Sequence, residues 1–505
     1  MRFLTAFFLL ALLCSGAVLR AGAAAATTPR PNVLFLAVDD MNDWPAYLGG
    51  YPGKVHTPHL DALAKRGVAF LNAHCASPLC NPSRTAILTG RMPSTSGIYG
   101  NSEWWRPSYP DLVTLPDYFK RNGYQVAGAG KIHHHTAGSN PPYQWDHYEP
   151  LVFRDDPWFR DNKLNYPWSK STPPPPEFPF SKVAGLPSEC DWGVLPIAEA
   201  DYDDARTAAY SIDFLKKAST DKPFFLACGI FRPHLPWYVP QRYLDLYPLD
   251  KIVIPEIPAD DLDDIPAAGR KIAARTSEAM PTIKAAGAWS RAIQAYLASI
   301  SYADAQIGRV LEALAQSPHA ARTIVVLWSD HGYHVGEKHH WNKSTLWERA
   351  TRIPFIVVAP GVTPTGGRST RPVNLIDLYP TLVSLAGLPT PAGLDGRDLT
   401  PLLRDPAATW ERPSITEFNE GNASARSERY RYIRYEDGSE ELYDHRTDPN
   451  EWRNLAADPA YAAIKADHAR WLPTRWAKAV PGKKAFDFDP TTYSWKNRAT
   501  GQVIR

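Results

Sequence analysis

Apolar runs of strand length recur along the first three quarters of the chain. They cover residues 32–38, 124–129, 224–230, 323–328 and 354–359. Each run carries almost no charged side chain, which is typical of strands that are buried on both faces of a parallel sheet. The pattern therefore predicts several strands of one buried sheet.

Segments with helical periodicity separate these runs. One begins after Thr57, and the others cover residues 203–217, 289–314 and 375–385. We expect Thr57 to cap the first helix, with Pro58 in its first turn and Gly67 after its end. The alternation of strands and helices predicts an α/β fold, in which a mostly parallel sheet is sandwiched by helices.

Two stretches depart from this alternation. Residues 140–195 include four consecutive prolines and many aromatic side chains, and we expect a long insertion over the surface there. Residues 429–435 alternate as an antiparallel strand would, and Asp437 and Gly438 form a turn before a return strand. The sequence predicts a large domain at 26–392 and a smaller α+β domain with a short antiparallel sheet at 393–505.

The first 25 residues have the pattern of a secretory signal peptide. Arg2 precedes an apolar stretch at 3–13, and small residues follow at 21–25. Lipidation at Cys14 is an alternative, but Leu13 is a poor residue before a lipidated cysteine. The apolar stretch is too short for a membrane span. We therefore expect a secreted or periplasmic protein without a membrane span.

Composition narrows the classes of function further. The chain has 505 residues, 44% of them hydrophobic, and a formal net charge of +2. A hydrophobic fraction of this size is typical of a folded globular protein. The near-neutral charge gives no indication of a nucleic-acid partner.

Polar residues follow the predicted strands at the point where each strand ends. Asp39 and Asp40 follow the first, Lys131 the second, and Asp330 and His331 the fourth. Ligands bind at the carboxyl ends of the strands in such sheets. One aspartate after a strand is usually a cap or a turn residue, but several at one sheet edge form an oxygen-rich site for a hard divalent cation.

The stretch at residues 80–90 reads C-N-P-S-R-T-A-I-L-T-G. Pro82 suits a first helical turn, so Cys80 would lie in the positive field of a helix N-terminus. Arg84 adds a fork of donors for an oxyanion. A single cysteine in such a place is more often a buried, inert thiol. The whole string, however, resembles the signature C-x-P-S-R-x-x-x-L-T-G of the type I sulfatases, and every fixed position matches.

The resemblance extends over about residues 31–456, including an E-L-Y-D-H-x-x-D-P-x-E-x-x-N-L segment near the C-terminus. It implies an alkaline-phosphatase-like fold. It also implies that a maturation enzyme oxidises Cys80 to formylglycine, whose hydrate is the nucleophile. If Cys80 is used in this way, at most one disulfide remains among Cys75, Cys190 and Cys228.

The resemblance also implies one bound calcium ion per chain. Its ligands would be Asp39, Asp40, the modified Cys80, Asp330 and His331. Many relatives have asparagine where this chain has His331, whereas the iduronate-sulfatase-like and choline-sulfatase-like branches carry histidine. Because a hard cation prefers oxygen ligands, the histidine also leaves manganese as an alternative.

Four further cationic positions match the family. Lys131 lies in G-K-I-H-H-H, where either His133 or His134 would be the base, and both remain candidates. His234 lies in R-P-H-L-P-W-Y-V-P, in which the prolines should hold an extended loop and present the histidine rather than bury it. Lys343 lies in W-N-K, where the family has its second substrate lysine.

The implied reaction is hydrolysis of a sulfate ester. The metal, Lys131, Lys343 and Arg84 would stabilise the charge on the sulfuryl oxygens. His234, together with Lys343, would protonate the leaving oxygen, and His133 or His134 would take the proton from the second hydroxyl of the formylglycine hydrate, expelling sulfate.

The expected substrate is a sulfated saccharide. Six tryptophans on predicted loops could stack on sugar rings, or could equally pack an insertion onto the body: Trp104, Trp105, Trp145, Trp158, Trp168 and Trp192. Two alternative functions are hydrolysis of phosphonates or phosphodiesters, and sulfated-glycan binding without turnover if Cys80 stays unmodified.

Overall fold

The computed structural model describes residues 30–151, 177–187, 190–275 and 279–505. The signal peptide expected at 1–25, with Cys14, lies outside these residues. Trp158, Trp168 and the four prolines at 173–176 also lie outside them.

The described strands and α-helices are numbered in chain order. The strands are β1 (Asn32–Val38), β2 (Val68–Phe70), β3 (Ala73–His74), β4 (Gln125–Gly130), β5 (His147–Glu149), β6 (Trp192–Gly193), β7 (Phe224–Ile230), β8 (Trp237–Tyr238), β9 (Thr323–Ser329), β10 (His334–Val335), β11 (Trp341–Asn342), β12 (Phe355–Val358), β13 (Gly367–Ser369), β14 (Val373–Asn374), β15 (Ser414–Glu417), β16 (Ala423–Arg426), β17 (Tyr430–Arg434), β18 (Glu440–Asp444), β19 (Phe486–Asp489), β20 (Ser494–Asn497) and β21 (Val503–Ile504). The helices are α1 (Pro58–Ala64), α2 (Cys80–Thr89), α3 (Pro93–Ser96), α4 (Trp105–Ser108), α5 (Leu115–Arg121), α6 (Asp203–Lys217), α7 (Gln241–Leu244), α8 (Ala267–Ala274), α9 (Ala279–Ala285), α10 (Trp289–Ala315), α11 (Glu348–Thr351), α12 (Leu378–Leu385), α13 (Thr400–Arg404) and α14 (Ala462–Ala469).

The main sheet has eight strands in the order β13-β2-β12-β9-β1-β7-β4-β5. Its central strands β9, β1, β7 and β4 are mutually parallel, which confirms the predicted mostly parallel sheet. β12 runs antiparallel to both of its neighbours. Its direction was not predictable, because a short apolar run has the same pattern in either direction.

Both faces of the main sheet are covered by helices. Alternate residues of β1 point to opposite sides, so Leu34 and Leu36 belong to one apolar cluster with α1, α6 and α10. Val33 and Phe35 belong to a second cluster with α2, α5 and α12. This double burial explains why β1 reads as a continuous apolar run and does not alternate with polar residues.

The strand register aligns the carboxyl ends of the central strands. Val38 lies opposite Ser329 on one side and Ile230 on the other, and Gly130 lies opposite Gly229. The residues that follow these four strands therefore meet at one edge of the sheet, as the sequence predicts.

The C-terminal part forms a smaller domain around an antiparallel sheet of four strands, in the order β15-β16-β17-β18. A second antiparallel sheet, β19-β20-β21, follows it. In the stretch 140–195, β5 extends the edge of the main sheet beside β4, and β6 pairs with β8. The described ends of that stretch are thus part of the main body.

Burial and pairing decide two points that the sequence left open, the role of the tryptophans and the state of the cysteines. Trp104, Trp105, Trp145 and Trp192 are all buried, so these four rings pack the interior and do not offer faces to a sugar. The described cysteines Cys75, Cys80, Cys190 and Cys228 are all free and buried, so they form no disulfide. Among the described helices, none combines the length and apolar character needed to cross a bilayer.

The predicted cap of α1 is wrong. The Thr57 side chain makes no capping hydrogen bond; it accepts from the amide of Ala46 and donates to Asp61. The carboxylate of Asp304, on α10, accepts hydrogen bonds from the amides of His59 at 3.2 Å and Leu60 at 2.7 Å. The helix also ends before Gly67, with its C-cap at Lys65.

Replacement of this long-range cap should destabilise the fold. Asp304→Ala would leave two amide groups unpaired beneath α10, and should lower the free energy of unfolding by about 1–3 kcal/mol. Asp304→Asn retains a carbonyl acceptor, so its free energy of unfolding should fall by less. The measurement is urea denaturation of both variants; an equal loss in the two would contradict the capping role.

Candidate active site

Cys80 is the first residue of α2. The helix is preceded by extended Leu79 and ends at Gly90, whose φ is +72°. Every residue of α2 is buried, so the helix points its N-terminus into the interior at the carboxyl edge of the sheet. The field of that N-terminus favours a negative charge on Cys80.

Arg84 lies one turn further along α2, and its guanidinium bonds to several polar groups at the edge of the sheet. It donates to Asp330 Oδ2 at 2.8 Å and to Asp39 Oδ1 at 3.1 Å. It also donates to the carbonyl oxygens of Lys131 and Ile132. These contacts are all with protein groups, and Arg84 is 1% exposed. Its guanidinium therefore fixes two carboxylates and the chain after β4 in one arrangement.

The lysines are paired with the remaining carboxylate oxygens. Lys131 Nζ donates to Asp39, and Lys343 Nζ donates to Asp40 at 2.7 and 2.9 Å and to Cys80 Sγ at 3.1 Å. Gly130 precedes Lys131 with φ of +75°, and a Cβ there would lie 2.0 Å from the Gly229 carbonyl oxygen. Glycine is thus required where β4 turns to deliver Lys131.

His331 faces three acidic groups through one ring nitrogen. Its Nε2 lies 3.3 Å from Cys80 Sγ, 3.5 Å from Asp40 Oδ1 and 3.6 Å from Asp330 Oδ2. Its Nδ1 donates to the carbonyl oxygen of Gly332 at 3.0 Å. That bond fixes the orientation of the ring and, when the imidazole is neutral, leaves the Nε2 lone pair facing the acidic groups.

Two residues to which the sequence assigned no role hold these groups in place: Ser83, a fixed position of the signature, and Tyr296, which belongs to no motif. Ser83 Oγ donates to the carbonyl oxygen of Asp330 at 2.6 Å. Tyr296, on α10, donates to the carbonyl oxygen of Asp40 at 2.8 Å and accepts from the amide of Asn42 at 3.1 Å. Asp40 has φ of 62°, a strained conformation for a non-glycine residue, and the tyrosine helps to hold it there.

Burial and neighbouring charges shift the pKa values of Cys80, Asp330 and Asp40 in different directions. Burial raises the pKa of Cys80, but Lys131 and Lys343 outweigh it and lower that pKa to about 5. Burial likewise acts against Asp330, but the Arg84 charge lowers its pKa to about 2. Burial raises the pKa of Asp40 to about 7 despite the opposing charge of Lys343.

The ligand-type atoms of the site lie close enough to share one cation. Three sets have all their atoms within 4.8 Å of one another: Asp40, Cys80 and His331; Asp39, Cys80 and Asp330; and Asp39, Asp40 and His234. The structure thus brings together all five predicted metal ligands, and it adds His234, which the sequence did not suggest as a ligand.

A cavity of about 450 Å³ opens over Cys80. Its described lining residues are Asp40, Cys80, Asn101, His134, His135, Thr136, Pro187, Cys190, His234, Leu235, Arg275, Ala279, Tyr333, Trp341, Asn342, Lys343 and Lys483. It is the cavity that a substrate of Cys80 would enter. Arg275 and Lys483 carried no motif, and only the fold reveals them.

The structure distinguishes the two candidate histidines after Lys131. His133 Nε2 lies 2.9 Å from Gln144 Nε2, and its ring stacks on Trp105; it does not line the cavity. His134 does line it, and its buried Nδ1 has no hydrogen-bond partner among the described residues. Burial and the charge of Lys131 hold the pKa of His134 well below its usual value, so its ring is neutral.

His234 lies in the cavity wall but is buried rather than presented. It is 6% exposed, and its Nε2 lies 3.8 Å from Asp40 Oδ2. Its amide donates to the Phe231 carbonyl oxygen at 3.0 Å, so the chain turns here. The expectation of an extended loop with an exposed histidine is therefore wrong, although the side chain does reach the site.

Two family profiles match the chain. The profile described as Sulfatase matches residues 31–388. The profile described as N-sulphoglucosamine sulphohydrolase, C-terminal, matches residues 336–475.

Individual proteins match over similar lengths. A sulfatase of Formosa agariphila is 40% identical over 85% of this chain and 83% of its own length. Human iduronate 2-sulfatase is 32% identical over 72% of this chain and 70% of its own length. The crystal structure of a phosphonate monoester hydrolase of Agrobacterium radiobacter has a TM-score of 0.70 at 22% identity, and covers 91% of this chain and 98% of that one; this likeness concerns the fold alone.

The buried Arg84 network provides a test of the site's architecture. Arg84→Lys keeps the charge but loses the fork that spans Asp39 and Asp330, and should lower the free energy of unfolding by about 2–3 kcal/mol. Arg91→Lys, at a partly exposed position, is the matched control and should change it by less than about 0.5 kcal/mol. Comparable denaturation midpoints for the two variants would refute the role of the fork.

Proposed function

The chain belongs to the sulfatase family and is a sulfuric ester hydrolase, and we propose that it removes sulfate from carbohydrates by means of a nucleophile made from Cys80. One observation carries the proposal. Cys80 begins a buried helix at the base of a cavity, with Lys343 Nζ at 3.1 Å, and it heads a sequence that matches the family signature at every fixed position.

We propose that Cys80 is converted to formylglycine by a maturation enzyme. The hydrate of this aldehyde offers two hydroxyls, one to attack sulfur and one whose deprotonation expels sulfate. The surroundings of Cys80 support such a nucleophile. Lys131 and Lys343 lower the pKa of the Cys80 thiol. They would also favour an alkoxide on residue 80, because a thiolate and an alkoxide are both negative charges on the same side chain.

We also propose that the site holds one calcium ion, with manganese as the alternative. Asp39, Asp40, residue 80, Asp330 and His331 would hold it, and His234 lies close enough to contribute. The donor set fits: buried Asp40 has its pKa raised to about 7 and lacks full charge compensation, and His331 directs Nε2 at three acidic groups. When bound, the cation supplies positive charge beside the sulfuryl oxygens.

The protein's own cations divide into two roles. Lys343 lines the cavity and touches Cys80, so it is placed to bind a sulfuryl oxygen and to assist the leaving group. Arg84 and Lys131 do not line the cavity, and both form ion pairs with Asp39 beneath it. We therefore assign Arg84 as a positioning residue, which differs from the direct sulfate contact that the resemblance suggested.

Proton transfer falls to the two cavity histidines. His234 would donate a proton to the leaving oxygen, because its ring lines the cavity beside Asp40. His134 would accept the proton whose removal expels sulfate, because it is neutral and its buried Nδ1 has no protein partner among the described residues. His133 would orient the loop through Gln144.

A carbohydrate substrate is supported by the relatives. Iduronate 2-sulfatase, at 32% identity, carries a sugar acid in its name. The buried tryptophans give no support, so the assignment depends on the relatives. We also propose that the first 25 residues direct export, to a secreted or periplasmic location.

Hydrolysis of a phosphonate or phosphodiester is the alternative, because the fold is shared with a phosphonate monoester hydrolase. The fold therefore does not decide between sulfur and phosphorus. Binding without turnover is the remaining alternative, and it requires that Cys80 stays unmodified.

Sulfate release provides the main test. Cys80→Ala should reduce release from sulfated saccharides and from an aryl sulfate by at least about 10⁴-fold, as loss of a covalent nucleophile does, with an unchanged unfolding midpoint. Cys228→Ala, a buried cysteine away from the cavity, is the control and should retain activity.

Two further arms of the same assay test the metal and the reaction class. Chelation should abolish release and calcium should restore it; activity that survives chelation would count against the metal. Faster turnover of the matching phosphate ester would establish the alternative. A peptide mass showing unmodified Cys80 in an active protein would exclude formylglycine.

Paired variants test whether His134 or His133 is the general base. His134→Gln should lower kcat by about 10²–10⁴-fold, the usual contribution of a general base. His133→Gln keeps a hydrogen-bonding partner for Gln144 and should lower kcat by less than about tenfold. The assignment is reversed if kcat falls more in His133→Gln than in His134→Gln.

A further inference from the structure

The lysine that touches Cys80 is carried by a short hairpin with a strained backbone. Lys343 directly follows β11, which pairs with β10 in an antiparallel hairpin. Nine described residues other than glycine have positive φ, and four of them lie between 338 and 344. They are Lys338 at 58°, His339 at 51°, Asn342 at 124° and Ser344 at 72°. Such conformations persist only where the surrounding structure holds the backbone firmly.

Lys338 anchors the tip of this hairpin to other parts of the chain. Its Nζ donates to Asp261 Oδ1 at 2.6 Å and to the carbonyl oxygen of Glu451. The same ammonium lies 5.7 Å from the ring centroid of Trp347 and 5.4 Å from that of Tyr443. Lys338 is 3% exposed and Asp261 is 2% exposed. Separation of this pair is costly, because either group left alone would be an unpaired buried charge.

The carbonyl oxygen of Glu451 is itself a fixed acceptor. The side chain of Glu451 accepts from Arg431 Nε at 2.6 Å and from the amide of Glu348 at 2.7 Å. Asp261 belongs to the segment between β8 and α10, whereas Glu451 follows β18 in the C-terminal domain. The tip of the hairpin is therefore held between the large domain and the C-terminal domain.

Hydrogen bonds carry this position on to Lys343. His340 Nε2 donates to the carbonyl oxygen of Lys343 at 2.9 Å. The amide of Ser344 donates to the carbonyl oxygen of Pro78 at 3.0 Å, which ties the end of the hairpin to the loop before α2. Lys343 thus lies between an anchor at the hairpin tip and an anchor beside Cys80, so a shift of the tip would move the backbone that carries it.

We propose that Lys338 is a positioning residue that sets the distance between Lys343 and residue 80. Lys338 does not line the cavity over Cys80, so it acts through Lys343 and not on the substrate. This inference rests on the proposed function, in which Lys343 binds a sulfuryl oxygen and assists the leaving group. The C-terminal domain then contributes to the reaction through the backbone carbonyl of Glu451.

Turnover of a series of aryl sulfates, whose leaving phenols differ in acidity, tests this assignment. Each variant is expressed with the maturation enzyme, supplied with calcium and assayed well below its unfolding midpoint. Lys338→Met removes the ammonium but keeps an unbranched chain. Lys465→Met is the matched control, because Lys465 is a partly buried lysine of α14 that pairs with Glu440 at 2.8 Å and does not line the cavity.

We expect Lys338→Met to lower kcat by about 10- to 100-fold with a smaller change in KM, because a misplacement of about 1 Å can cost a factor of this size. The loss should grow as the leaving phenol becomes less acidic, since a displaced Lys343 assists the leaving oxygen less well. Lys465→Met should leave both kcat and its dependence on the leaving phenol unchanged.

A double-variant cycle shows whether Lys338 acts through Lys343. Lys343→Met should lower kcat by about 10²–10³-fold, as loss of one stabilising donor does. Addition of Lys338→Met should then lower kcat by less than about threefold more, because the interaction is already lost. If Lys338→Met does not fold, Asp261→Asn takes its place in both experiments, because it weakens the same anchor from another segment and keeps an acceptor.

Three results would overturn the positioning role. They are a kcat within about threefold of the unsubstituted enzyme, an equal loss for every leaving phenol, and losses that multiply in the double variant. Failure of the proposed function has a different signature, because Lys343→Met would then retain its kcat whatever replacement of Lys338 does.

Discussion

Asp39, Asp40 and Asp330 are three carboxylates buried within a few ångströms of one another, and they must be balanced by nearby positive charge. An unpaired buried carboxylate is far too unfavourable for a folded protein of ordinary stability. Arg84, Lys131 and Lys343 supply that charge, each through direct contact with one or two of the acids. Their positions in turn require α2 to begin at the sheet edge and β4 to turn sharply at Gly130. Much of the architecture around the cavity follows from this requirement.

The same balance of charge also governs the ionisation of Asp40 and Cys80. Burial and the like charges of its neighbours leave Asp40 with a raised pKa, so the site still gains from one more cation. Cys80, by contrast, lies where the lysines and the helix N-terminus both favour a negative charge. The residue that we propose as the nucleophile thus lies beside the side chains that we propose as metal ligands. The rigid parallel strands keep these groups in register, and Tyr296 and Ser83 fix the backbone of two of the acids.

The sequence predicted what depends on local pattern and on strand ends. The runs that became β1, β4, β7 and β9 were recognisable because both faces of each strand are apolar, and parallel pairing then placed Asp39, Lys131 and Asp330 together. Prediction from the sequence failed where a residue distant in the chain takes the role expected of a neighbouring one. Thr57 is a good cap by type, yet Asp304 does the capping because α10 packs across α1. His133 and His134 are equivalent in sequence, and only packing on Trp105 separates them. Trp104 belongs to a predicted loop, but a C-terminal sheet covers it.

The cavity over Cys80 is built from widely separated parts of the chain. The groups around Cys80 come from the strand ends and α2, within the segment that the first family profile matches. Arg275 and Lys483 line the wall of the same cavity and come from other parts of the chain. Because Lys483 lies beyond the residues that the second profile matches, the two profiles account for the groups around Cys80 but not for the whole wall of the cavity.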